Sequence, residues 1–304
     1  MYEDFRMLDP QIAEMDRKRL SGAYADPFEA MTTEEARRRA WIIRDDIYPA
    51  PHIDVKSCED LTIAGPAGDM AIRIVRPLGD EASGTVLYFH GGAWMVGDLD
   101  SHQAHVARIA NLAGAVVVSV DYRLAPDHLF PAACDDAFAA FDWVIAHVGD
   151  LGGDASKIAV AGDSAGGALA AATAILARDR GVSLAAQFLI YPATDMRQNG
   201  PEPSTVALKY LGPDYETVSL DWRASPALAD LTGVAPAIIG TGAHDFLHQQ
   251  SVSFAELLGG ANVPVTLRVF PDLNHSFFSY AGVSEPCAEA SNLMCEDLRA
   301  TLHG

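Results

Sequence analysis

Positive charge is scarce in this 304-residue chain: 21 Lys and Arg stand against 41 Asp and Glu, a formal net charge of −20. A phosphate backbone has to be met by clustered cations, so the balance argues against a nucleic-acid partner and against anionic membrane surfaces. Long apolar runs are missing as well. No stretch reaches the ~20 residues that a membrane-spanning helix needs. The first twenty residues carry charge throughout, from Glu3 and Asp4 to Arg17, Lys18 and Arg19. A secretory leader would instead run from a short basic start into an apolar stretch, so a cytoplasmic location is expected. Cysteine is limited to Cys58, Cys134, Cys287 and Cys295, with no C-x-x-C pair. Cys287 and Cys295 fall eight apart in a predicted helix, hence ~12 Å apart, too far for a disulfide within one straight helix. Buried free thiols and no metal site are expected. No internal repeat or low-complexity linker is found.

What is present is a core-forming composition, 49% apolar. Up to about residue 45 the chain is polar and helix-prone. Thr32-Thr33-Glu34-Glu35 fits a capping box, which predicts a helix from Thr33 to about Arg44. Two alternating segments, 60–63 and 70–75, flank Gly65-Pro66-Ala67-Gly68 and predict a hairpin. Short apolar runs then alternate with helical stretches. The predicted strands are 85–89, 115–120, 157–161, 187–190, 237–241 and 265–270. The predicted helices are 101–113, 131–147, 165–180, 249–258 and 285–302. Near-continuous Val, Ile and Leu suit strands buried on both faces, so the pattern predicts an α/β fold with a mostly parallel sheet. The Pro-, Gly- and Ser-rich stretch 195–225 breaks the alternation and is read as an irregular insertion with the character of a lid.

Gly162-Asp163-Ser164-Ala165-Gly166 matches G-x-S-x-G. As a bare string it is weak, but it follows a predicted strand and enters a predicted helix, as a nucleophile elbow must. The competing reading is a plain turn in which Ser164 merely caps the helix. His90-Gly91-Gly92-Ala93-Trp94 follows another predicted strand. Acyl transfer builds negative charge on the former carbonyl oxygen, and amide N–H groups in a glycine loop can approach it. Each such donor is worth roughly 3–4 kcal/mol in the transition state. The hole is assigned to Gly91, Gly92 and Ala165, with Ala93 as a further donor, while His90 braces the loop.

Asp245 and His275 each follow a predicted strand, giving the chain order Ser, Asp, His of α/β-hydrolases. His275 would take the Ser164 proton and Asp245 would orient the imidazole. The rivals are Asp272 for the acid and His244 or His248 for the base.

Taken together, His90 to Trp94, Asp121-Tyr122-Arg123-Leu124-Ala125-Pro126, Phe130-Pro131-Ala132-Ala133, Gly162 to Gly167 and Asn274-His275-Ser276-Phe277 resemble the hormone-sensitive lipase-like esterases over roughly residues 55–302. The resemblance implies an eight-stranded α/β-hydrolase core with a helical cap. The cap would comprise residues 1–45 and an insertion at about 195–225, and the catalytic domain residues 46–304. It further implies hydrolysis of small-molecule esters with short to medium acyl chains, without cofactor, and admits a homodimer. Three departures from the family pattern stand out: Ala93 replaces the third loop glycine, Phe246-Leu247-His248 replaces Pro-Leu-Arg after the acid, and the insertion is short. The last suggests an acyl pocket open to bulky or aryl esters. An arylformamidase-like amidase would use the same residues. A non-catalytic small-molecule receptor on this fold would not need His275.

Overall fold

The computed structural model describes residues 8–21, 31–79, 84–152, 154–197 and 204–304. Two helices come first. The Asp9 carboxylate caps α1 (Pro10–Arg19) by accepting the N–H groups of Gln11 and Ile12. The predicted capping box opens α2 (Thr33–Ile47): Thr32 Oγ1 accepts the Glu35 N–H, and the Glu35 carboxylate accepts the Thr32 N–H. The helix runs one turn farther than the sequence suggested.

The remaining elements are β1 (Ser57–Gly65), β2 (Gly68–Arg76), β3 (Gly84–Phe89), α3 (Gln103–Ala113), β4 (Ala115–Val120), α4 (Ala132–Leu151), β5 (Ile158–Asp163) and α5 (Ala165–Asp179), followed by β6 (Ala186–Ile190), α6 (Thr205–Leu211), α7 (Tyr215–Val218), β7 (Ala237–His244), α8 (His248–Gly260), β8 (Val265–Asn274) and α9 (Glu285–His303). The eight strands form one sheet in the order β1-β2-β4-β3-β5-β6-β7-β8. Only the hairpin strand β2 runs against its neighbours; β4, β3 and β5 through β8 pair in parallel.

The pleat sorts side chains into two cores. Leu87, Phe89, Val118 and Val160 point toward α4, α5 and α8, packing with Phe141, Leu169 and Phe254. Val86, Tyr88, Val117 and Phe188 point the other way, against Val106 and Ile109 of α3 and Met294 and Leu298 of α9. Every residue of β3, β4, β5 and β6 is buried, which is why those strands read as apolar runs rather than alternating ones.

Two expectations need correction. The stretch read as irregular contains α6 and α7, while residues 198–203 of it lie outside the described ones, as do 1–7 and 22–30 of the N-terminal segment. All four cysteines are free, but only Cys134, Cys287 and Cys295 are buried; Cys58 is exposed. It lies on β1, an edge strand with most of its residues open to solvent.

Candidate active site

Parallel strands end on one side of the sheet, and four of those ends carry the chemistry-bearing residues. The loop after β3 bears Gly91 to Trp94, and Ser164 follows β5. Asp245 and His275 follow β7 and β8, whose His244 and Asn274 are register partners. Consecutive residues past one pair therefore emerge side by side, as expected where ligands gather in α/β sheets.

Ser164 sits at φ 52°, ψ −115°, and its side chain makes no capping bond to α5, so the plain-cap reading fails. Such backbone conformations cost of order 1–3 kcal/mol and persist only where the surroundings enforce them. Here the flanking glycines permit the close approach: a Cβ on Gly162 would lie 2.2 Å from the Gly166 carbonyl oxygen. Ser164 Oγ lies 3.1 Å from His275 Nε2, and His275 Nδ1 lies 2.8 Å from Asp245 Oδ1. Asp245 is buried, and the same oxygen accepts the Leu247 N–H. The His275 ring is flanked by Tyr191, centroid 4.6 Å away, and by Phe246 at 4.3 Å. The rivals stand apart. Asp272 is exposed, and neither it nor His244 or His248 hydrogen-bonds to the side chain of Ser164 or His275 among the described residues.

The glycine loop differs from expectation in one donor. Gly91 N–H is already given to Asp163 Oδ1 at 2.8 Å, so it is not available to an oxyanion. Gly92, Ala93 and Trp94 follow with φ of 120°, 54° and 58°. The amides of Gly92 and Ala93, with that of Ala165 in the unsatisfied first turn of α5, are the remaining donors beside Ser164. Gly92 has to be glycine, because a Cβ there would meet the Val96 carbonyl oxygen at 2.1 Å. His90 braces the loop: its Nδ1 lies 2.8 Å from the Gly91 carbonyl, and its ring stacks on Tyr122, whose hydroxyl donates to the His90 carbonyl.

Asp163 was not singled out by the motif, yet it joins the loop to the elbow. Its Oδ1 also accepts the Tyr88 hydroxyl at 2.6 Å. Burial opposes its ionisation, but His102, His105 and Tyr88 outweigh burial and hold the carboxyl far below the usual carboxylate range. Arg37 of α2 grips the loop from outside, donating to the Met95 and Ala125 carbonyls and pairing with Asp127 at 2.8 Å.

A family model described as alpha/beta hydrolase fold matches residues 86–279. The chain is 39% identical over 271 residues to the esterase LipI of Mycobacterium tuberculosis, a match covering 81% of this chain and 82% of LipI. The chain belongs to the hormone-sensitive lipase-like α/β-hydrolases. It is also similar to the ethyl acetate hydrolase of Pseudomonas putida, 34% identical over 91% of this chain and 92% of that protein. The solved esterase of Pyrobaculum calidifontis superposes with a TM-score of 0.85 at 34% identity, covering 96% of this chain and 98% of that one. The enzyme class is that of a serine carboxylesterase.

In this hydrolase, His102, His105 and Asp163 form the one cluster of three potential metal ligands among the described residues, with ligand atoms within 4.8 Å of one another. Polar atoms of the cluster are engaged within the protein: His105 Nδ1 lies 3.2 Å from the Tyr88 hydroxyl, and Asp163 Oδ1 holds two donors. No helix among the described residues is long and apolar enough to cross a membrane.

Two buried histidines make stability fall on the acid side. Burial, with His102 nearby, pulls the His90 pKa down to about 4 and that of His105 to about 3. An unfolded chain binds both protons near the ordinary pKa of about 6.5. Above that pH both states are neutral and nothing is lost. Below it the unfolded state takes up protons the folded state refuses, so stability falls as pH drops from about 6.5 toward 4 and then 3. Urea midpoints measured between pH 7.5 and 4.5 are expected to fall steadily on the acid side; a flat profile from pH 7 to 5 would contradict this account.

Proposed function

We propose that the chain hydrolyses carboxylic esters with short to medium acyl chains through an acyl-enzyme on Ser164, with His275 as proton carrier and Asp245 as its orienting acid. The observation that carries this reading is the unbroken hydrogen-bonded line from Ser164 Oγ through the His275 ring to the buried Asp245 carboxylate. His275 takes the hydroxyl proton as Oγ attacks the ester carbonyl. The negative oxygen is met by the amides of Gly92, Ala93 and Ala165. Asp245 holds the proton on Nδ1, leaving Nε2 free to accept, and stabilises the imidazolium that forms. His275 then gives its proton to the departing alkoxide. Water repeats the sequence on the acyl-enzyme, releasing the acid and restoring Ser164.

The same reading makes residues up to about 45 and the 195–225 insertion a cap on the catalytic domain. Ala40, Trp41 and Arg44 of α2 and Val206 of α6 line the cavity that opens on Ser164 and His275. Its volume is about 530 Å³, which accommodates a short acyl group together with a bulky or aryl alcohol. A short-acyl preference agrees with the similarity to a relative named for ethyl acetate.

Initial rates on p-nitrophenyl esters from acetate to dodecanoate test the proposal, with a formanilide as the amide counterpart. Expected is a kcat/KM maximum between acetate and hexanoate, a fall for dodecanoate, and esters far ahead of the formanilide. A maximum at dodecanoate would refute the acyl range, and formanilide ahead of every ester would refute the reaction class.

A further inference from the structure

Acidic residues outnumber basic ones nearly two to one in this chain, 41 to 21, but the cavity beside Ser164 has the opposite sign. Arg19, Arg44 and Arg108 line it, and Asp163 is the only carboxylate among its described lining residues. Asp163 is already engaged by Tyr88 and Gly91. Arg44 lies over the Trp41 ring and pairs with the exposed Asp45 at 2.9 Å. Arg19 is less well satisfied. Its Nε lies 3.5 Å from Asp16 Oδ1, and both atoms are buried without a hydrogen-bond partner among the described residues.

Arg108 stands out most. No carboxylate lies within 4 Å of it among the described residues; its partners are the Asn292 side-chain oxygen at 2.7 Å and the Ala281 carbonyl at 3.3 Å. Both are neutral, and a guanidinium offers five N–H donors in a planar fork. Burial with no nearby acid draws its pKa down from the ordinary value. Its position relative to the chemistry is set by α3. That helix starts beside the elbow, where His102 Nε2 lies 3.7 Å from Asp163 Oδ2, and Arg108 comes six residues later, about 9 Å along the axis.

We infer that the end of the cavity at Arg108 is a carboxylate subsite, so that the enzyme selects esters carrying a free carboxylate several bonds from the scissile carbonyl. The inference rests on Ser164 being the nucleophile. The guanidinium fork meets a carboxylate with two parallel charge-assisted hydrogen bonds. Desolvation from the cavity walls strengthens those bonds. The carboxylate can belong to the acyl part, as in a dicarboxylic half-ester, or to the alcohol part.

The test compares two pairs of esters on the wild-type enzyme. One pair is monomethyl suberate and its ω-carboxamide; the other is the acetate ester of an ω-hydroxyhexanoate and its carboxamide. The carboxylate member of at least one pair is expected to be about tenfold or more ahead in kcat/KM, chiefly through KM. The pair that shows the effect tells which side of the ester occupies the subsite. Arg108→Gln is expected to bring the ratio close to one, with Arg108→Lys between. Equal turnover of acid and amide in both pairs, with p-nitrophenyl acetate still hydrolysed, would overturn the subsite alone. So would an Arg108→Gln protein in which both members fall together, since a purely structural role moves both. Failure to hydrolyse any of these esters would overturn the nucleophile reading and the subsite with it.

Discussion

Ser164→Ala is expected to lower kcat on p-nitrophenyl butyrate by on the order of 10⁵-fold, about 7 kcal/mol of barrier, without loss of fold. Among the described residues the Ser164 hydroxyl makes one hydrogen bond, to His275 Nε2, and none to the backbone of α5, so removing it leaves no buried partner stranded in the core. The strained backbone at φ 52° is unchanged, because alanine meets the same restriction there as serine. What remains is the contribution of the amide donors and of binding, which do not need the nucleophile. On the proposed mechanism Ser164 and His275 act on one proton, so Ser164→Ala combined with His275→Ala should lose little more than either alone. Single-turnover assays with matched urea midpoints check this. Residual activity above about one per cent, or losses that multiply in the double variant, would mean that the two residues do not act on one proton.

Gly166→Ala is the substitution expected to harm both fold and catalysis most. A Cβ at Gly166 would lie 2.0 Å from the Phe89 carbonyl oxygen and 2.5 Å from that of His90. Both are backbone atoms at the end of β3, so no rotamer change relieves the clash. Either α5 moves off the sheet or β3 moves away from β5. Overpacking of this kind costs about 1–3 kcal/mol, and more where backbone must shift. The activity cost is separate. The loop proposed to form the oxyanion hole hangs from the end of β3 and Ser164 from the start of α5, so the relief movement separates the proposed hole from the proposed nucleophile. A misplacement near 1 Å costs about 10²-fold in rate. The control is Gly149→Ala at an exposed position of α4, where the added Cβ meets nothing within 4 Å. That change should raise stability by about 0.5–1 kcal/mol and leave kcat/KM alone. Urea midpoints and rates on one ester separate the two variants; a Gly166→Ala protein as stable and active as wild type would refute the packing argument.

Much of this molecule was readable from its residues. The central strands announce themselves because both faces are buried, so their apolar runs are uninterrupted. The candidate nucleophile, acid and base were nameable because three strand-end residues fall in a fixed chain order. What could not be read depends on contacts between residues far apart in sequence. The motif treats the position before Ser164 as a wildcard, so nothing local shows that Asp163 takes the Gly91 amide from a loop 72 residues away. The hydrogen bonds of Arg37 to Met95 and Ala125 span 58 and 88 residues. Phe246 was visible as a departure from the family pattern, but not as a ring lying against His275. The helices α6 and α7 hid in a Pro- and Gly-rich stretch because each is too short for periodicity to register. α6 is held instead by tertiary packing, with Tyr210 stacked on Trp94 at 4.2 Å.

The position of Asp163 has a consequence for how such an enzyme can diversify. One carboxylate, on the last residue of β5 immediately before Ser164, holds the loop proposed to supply the hole. On the proposed mechanism the reacting geometry is therefore held at the ends of two adjacent central strands, β3 and β5. The walls of the cavity beside Ser164 come in part from α2, α3 and α6. Those walls can be recut by mutation, one side chain at a time, while the spacing between serine and hole is inherited intact.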